Sequence, residues 1–80
     1  MDIGEAVRLR ILELCREHCI TINKLSTICG ITQSTINNII SGRNKGATIS
    51  TIKKICDGLD ISILDFFNSK LFENLEQEIK

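Results

Sequence analysis

Two sets of side chains in this sequence could do chemistry. The first is four cysteines, Cys15, Cys19, Cys29 and Cys56, with a single histidine, His18. A zinc site would have to combine Cys15, Cys19 and His18 near the end of one helix with a distant Cys29. It would lack the close Cys-x-x-Cys pairs that structural zinc sites place in turns. A nucleophile–base pair made from Cys15 or Cys19 with His18 has no third group to orient it. No glycine-rich phosphate loop and no His-Glu-x-x-His segment occurs. No enzymatic activity, metal or cofactor is therefore expected. Cys29 and Cys56 stand in apolar frames and read as small core residues, reduced and without a disulfide.

The second set is short, polar and uncharged: Thr32, Gln33, Ser34, Asn37 and Asn38. Each of these groups both donates and accepts hydrogen bonds. Asparagine and glutamine can pair bidentately with adenine in the major groove of DNA, at roughly 1–3 kcal/mol of discrimination per pair. Serine is permissive, and no arginine lies in the segment to grip guanine. The residues themselves therefore suit a site with at least one adenine, read by Gln33 or Asn38.

These side chains can act together only if the elements around them hold them on one face. Apolar residues recur at steps of three and four along the chain, and sustained alternation does not, so the high isoleucine content belongs to helices. Ile3, Val7, Ile11, Leu14 and Cys15 make one helical face running to about His18. Thr21 caps a second helix that stops at Gly30. Thr32 caps a third, Gln33 to Ser41, with Ile36, Ile39 and Ile40 apolar and Gly42 as its stop. After the polar loop Arg43-Asn44-Lys45-Gly46-Ala47, Thr48 caps a fourth helix with Ile49, Ile52, Ile55 and Cys56 on one face, ending near Gly58. Ser62 opens a short fifth, Ile63 to Phe67. The second and third helices form a helix-turn-helix: Ser26 is small where they cross, Gly30 takes the left-handed turn, and Ile31 and Ile36 point inward. Thr32, Gln33, Ser34, Asn37 and Asn38 are left facing outward.

Charge agrees with this division. Ten basic and ten acidic residues cancel over the 80-residue chain, which at first argues against nucleic acid. The cancellation is uneven. Residues 1 to 56 carry eight basic and four acidic side chains, and residues 57 to 80 carry two and six. From His18 through Cys56 there is no acidic residue, while Lys24, Arg43, Lys45, Lys53 and Lys54 are basic. A polyanion would meet the first part, and the acidic end would point away from it. Lys53 and Lys54 read first as a solvated helix face.

Over residues 7 to 67 the sequence resembles the Xre/Cro-type helix-turn-helix regulators of bacteria and phages. The likeness rests on the Ile11/Leu14 frame, Leu25-Ser26, Gly30-Ile31-Thr32, Ser34-Thr35-Ile36, Ser41-Gly42, Thr48-Ile49-Ser50-Thr51-Ile52 and Leu59 to Phe67. It implies an all-α, five-helix, lambda-repressor-like DNA-binding domain over residues 1–68, with a C-terminal acidic amphipathic tail, helical or flexible, over residues 69–80. It also implies sequence-specific binding of double-stranded DNA by a small transcriptional regulator, in the first place a repressor, with the helix Thr32–Ser41 in the major groove. Gln33 and Ser34 match the start of the base-reading face, with Asn37 and Asn38 further along. Thr32 matches a helix end close to phosphate, and Arg43 and Lys45 match loop contacts to the backbone. Two positions depart from the family pattern: Ile22 stands where glutamine is usual, and Ile40 where glutamate is common.

A homodimer on two half-sites is expected, because one domain reads only half a site. Leu71, Leu75 and Ile79, at steps of four, give the tail an apolar stripe suited to a helix, a dimer contact or a partner protein. The alternative function is accordingly an antitoxin-like protein-interaction module. No apolar run approaches the ~20 residues of a membrane span, and Met1-Asp2-Ile3-Gly4-Glu5 lacks the features of a signal peptide. The expected location is the cytoplasm.

Overall fold

The computed structural model describes residues 1–43 and 46–79. It comprises α1 (Ile3–Glu17), α2 (Ile22–Cys29), α3 (Gln33–Ile40), α4 (Ile49–Leu59) and α5 (Ile63–Phe67), followed by one 3-10 turn at Lys70–Phe72. Among the described residues there is no strand.

Side-chain oxygens start every α-helix. Thr21, Thr32, Thr48 and Ser62, the four caps expected from the sequence, accept the backbone N–H of Lys24, Thr35, Thr51 and Asp65. Asp2 does the same for α1. Each cap is worth about 1 kcal/mol. At α5 the cap is reciprocal, since the Asp65 carboxylate also accepts the Ser62 N–H.

Three helices stop in the same way. The N–H groups of Ile20, Ile31 and Ile61 reach back to the carbonyls of Cys15, Ser26 and Cys56 at 2.9–3.0 Å. The residue before each isoleucine, Cys19, Gly30 or Asp60, is left-handed. This is the Schellman ending, with an apolar residue turned back over the last helical turn. Gly30 is the only one of the three with no Cβ to strain the turn. α4 ends at Leu59, near Gly58 as expected, with Gly58 itself in the last turn. A Cβ there would sit 2.4 Å from Cys29 Sγ and 3.0 Å from Cys29 Cα, so the glycine lets α4 press against the end of α2.

The core is one cluster. Val7, Ile11, Leu14 and Cys15 from α1 meet Leu25 and Cys29 from α2, Ile36 and Ile39 from α3, and Ile52, Ile55, Cys56 and Leu59 from α4. Ile31 fills the turn and Phe66 closes the end. Ile22 and Ile40 pack against the cluster's edge, which accounts for both departures from the family pattern. Ile49, expected on the inner face of α4, is 73% exposed because it opens the first turn, beyond the layer covered by α2.

Arg10 lies within the apolar stripe of α1 and is buried. Its guanidinium donates to the carbonyls of Phe66 (2.6 Å) and Asp65 (2.8 Å) and pairs with Glu13. It thereby ties α1 to the end of α5, where helix carbonyls lack intrahelical donors. Beyond it, the rings of Phe66, Phe67 and Phe72 cluster at centroid distances of 4.9 to 6.2 Å. Ser69 Oγ donates to Glu13 at 3.3 Å, and the Glu76 N–H donates to the Met1 carbonyl at 3.1 Å. The segment after Phe72 runs as irregular chain through a left-handed Asn74. That turn breaks the spacing of the anticipated stripe: Leu71 and Leu75 are half-buried, while Ile79 is 87% exposed.

Candidate nucleic-acid interface

The outer face of α3 is set by its inner one. Ile36 and Ile39 anchor the helix in the core, so residues three and four positions removed from the opposite side emerge together. Thr32, Gln33, Ser34 and Asn37 are exposed, and Asn38 is half-buried at the edge of the same surface. Arg43 is exposed just past the end of the helix. Lys45, and Asn44 beside it, lie outside the described residues. Six of the seven residues singled out by sequence thus lie on α3 or just beyond its two ends.

Thr32 has two tasks at the helix start. Its oxygen accepts the Thr35 N–H at 3.2 Å, and its hydroxyl donates to Thr35 Oγ1 at 2.8 Å. Thr35 is satisfied in this way, while the amides of Gln33 and Ser34, in the first turn, have no intrahelical acceptor. They make an anion-attracting helix end.

Gln33 is not a free side chain on a solvated face. Its Nε2 donates to Asn23 Oδ1 of α2 at 2.5 Å and, more loosely, to Asn37 Oδ1 at 3.4 Å. Its Oε1 lies 3.1 Å from the hydroxyl of buried Ser26. Ser26 is therefore more than a small residue at a crossing: it links α2 to α3. Asn23 went unnoticed in the sequence, where it has no part in the apolar period or in a cap. Its only signal is its neighbour, for Ile22 turns to the core and leaves Asn23 as the polar side chain of that turn.

The surface around these groups carries few charges, and those it has are basic. Lys24 is exposed on α2. Lys53 is paired with Asp57 one turn along α4, and that hydrogen bond raises the lysine pKa above its ordinary value. Lys54 is exposed beside it. Burial raises the thiol pKa values of Cys15, Cys29 and Cys56, which keeps these groups protonated and unreactive in the core. Cys19 is exposed at the left-handed end of α1. Among the described residues no group of three or more His, Cys, Asp or Glu side chains is placed to hold a metal ion.

Two surface clefts lie away from this face. One, between α1 and the C-terminal segment, is lined by Glu13, Glu17, Ser69 and Leu71; the other, beside the start of α1, by Arg8, Ile39 and Ile40. Neither contains Gln33, Ser34, Asn37 or Asn38. The polar groups of α3 thus lie outside both clefts, on an exposed helix face.

A helix-turn-helix whose second helix presents such a surface defines a DNA-binding domain by its architecture. Residues 10–70 match the model of the Cro/C1-type HTH DNA-binding domain, and the chain belongs to that family. It is similar to the SPbeta prophage-derived uncharacterized HTH-type transcriptional regulator YopS of Bacillus subtilis (strain 168). That match is 34% identical over 71 residues, covering 89% of this chain and 92% of the relative. It is also similar to the crystal structure of the prophage Lp1 protein 11. The TM-score there is 0.78 at 43% identity, with 86% of this chain and 92% of the other covered. Among the described residues no helix is long and apolar enough to cross a membrane.

Proposed function

We propose that the protein is a sequence-specific transcriptional regulator, acting as a repressor, that lays α3 in the major groove of double-stranded DNA. Gln33 and Asn38 read base edges, at least one of them an adenine, with Ser34 and Asn37 alongside. Thr32, Arg43 and Lys45 meet the phosphate backbone, together with the first-turn amides of α3. The observation that carries this reading is the polar, acid-free outer face at the start of α3, with Gln33 held in place by α2. The similarity to a prophage-derived transcriptional regulator supports the regulatory role.

A single domain with so few cationic contacts holds DNA weakly, so the working form is a homodimer on half-sites about one helical turn apart. The C-terminal segment has less to offer a partner protein, because Phe72 is part of the aromatic cluster and the Glu76 amide is paired with Met1. Selection of bound duplexes from a random DNA library tests the proposal. An enriched, adenine-containing, two-fold repeated sequence is expected, with affinity falling steeply as salt rises. No enrichment at low salt would defeat it. Lys45→Ala should weaken all duplexes alike, whereas Gln33→Ala should change the preferred sequence.

A further inference from the structure

Gln33 has more partners than an exposed side chain ordinarily keeps, and their unequal strength is informative. Its amide carries two hydrogens. One goes to Asn23 Oδ1 at 2.5 Å, and the other reaches Asn37 Oδ1 only at 3.4 Å. Oε1 faces Ser26 Oγ at 3.1 Å, but that hydroxyl has a single proton and lies closer, at 2.8 Å, to the Asn23 carbonyl. The firm hold on Gln33 therefore comes from Asn23, which lies ten positions away on the other helix of the motif.

A bidentate contact with adenine needs one N–H of Gln33 directed at N7 and its carbonyl oxygen directed at the N6 amino group. The bond to Asn23 takes one of the two N–H groups and restrains the amide, leaving the other N–H with only a weak partner. The long contact to Asn37 is the one exchanged for the base. We infer that Asn23 is a specificity-positioning residue: it acts through Gln33, setting the orientation of the Gln33 amide before DNA arrives. This rests on the reading of α3 as the base-contacting helix. An oriented amide loses less freedom on binding than a free glutamine, and its donor and acceptor are assigned to fixed directions. Discrimination against the wrong base should suffer when that orientation is lost, even though Asn23 itself touches no base.

The experiment uses the full chain, the best duplex recovered by selection, its variants at the adenine read by Gln33, and a scrambled duplex. Asn23→Ala should lower the preference for adenine about three- to tenfold, the size expected from freeing one ordered side chain, with scrambled-duplex affinity and melting temperature unchanged. Asn23→Asp keeps the acceptor, so it should retain the preference while its charge weakens selected and scrambled duplexes alike. In a Gln33→Ala background, Asn23→Ala should add nothing. Equal weakening of every duplex by Asn23→Ala would make Asn23 a phosphate contact and overturn the assignment, as would an unchanged preference. If Gln33→Ala alters the preference and Asn23→Ala does not, only the positioning role fails. If Gln33→Ala leaves the preference intact, the reading of α3 fails with it.

Discussion

The two ends of this small domain handle polar groups in opposite ways. At the α1–α5 end the polar group is a buried cation, Arg10, whose donors are committed to two main-chain carbonyls and the Glu13 carboxylate. At the α2–α3 end the groups are neutral amides and hydroxyls, and Gln33, Asn23 and Asn37 are exposed. A buried charge with fixed acceptors cannot let go without leaving unpaired groups behind, so it serves the fold alone. Neutral groups at the surface can exchange one weak partner for another at little cost. The difference separates what holds the domain together from what is free to recognise something else.

Arg10→Ala should break the first end most severely. It strands the carbonyl of Phe66, leaves that of Asp65 with the Asn68 N–H alone and removes the ion pair to Glu13, for a loss of roughly 3–5 kcal/mol in denaturant unfolding. The fraction still folded should keep its DNA preference. Gly58→Ala attacks the framework beneath the motif, where a Cβ would collide with Cys29 of α2. A loss of about 1–3 kcal/mol is expected, measured by the same unfolding experiment. Cys19→Gly should act in the other direction and least strongly. It relieves a left-handed non-glycine residue at the end of α1 and should raise stability by about 1 kcal/mol.

Most of the frame could be read from the residues, for identifiable reasons. Thr21, Thr32, Thr48 and Ser62 stand immediately before apolar-periodic runs and act within three residues, so local chemistry located the helix starts. Gly30 marked the turn because few other residues relax there. Gly58 marked the neighbourhood of the α4 end, but its second use, where two helices touch, shows only from the position of Cys29. Cys19 and Asp60 end helices without being glycine, so nothing in their type announced them. Ile49 followed the period of α4 but lies past the reach of its neighbours.

The face of α3 was likewise legible as a face, since it is what remains once Ile36 and Ile39 point inward. The support beneath it was not. Asn23 and Ser26 meet Gln33 across a turn, ten and seven residues away, and such pairings depend on the angle between two helices. Arg10 entered the sequence reading only as one charge among eight, although its place between Val7, Ile11 and Leu14 puts it in the apolar stripe. Its acceptors lie more than fifty residues ahead.

The most direct test of this division is to sequence duplexes bound from one random DNA library by the wild-type protein and by Gln33→Ala, with unfolding curves for both. The other partners of Gln33 are exposed, and Ser26 keeps its closer bond to the Asn23 carbonyl when Gln33 is lost, so removal of Gln33 should leave the midpoint of unfolding nearly unchanged. The wild type should enrich an adenine at one position of each half-site, and the variant should lose preference at that position alone, by about tenfold, the scale of one bidentate contact. An identical enriched sequence from both proteins, or no enrichment by the wild type at low salt, would contradict the claim that the start of α3 reads DNA.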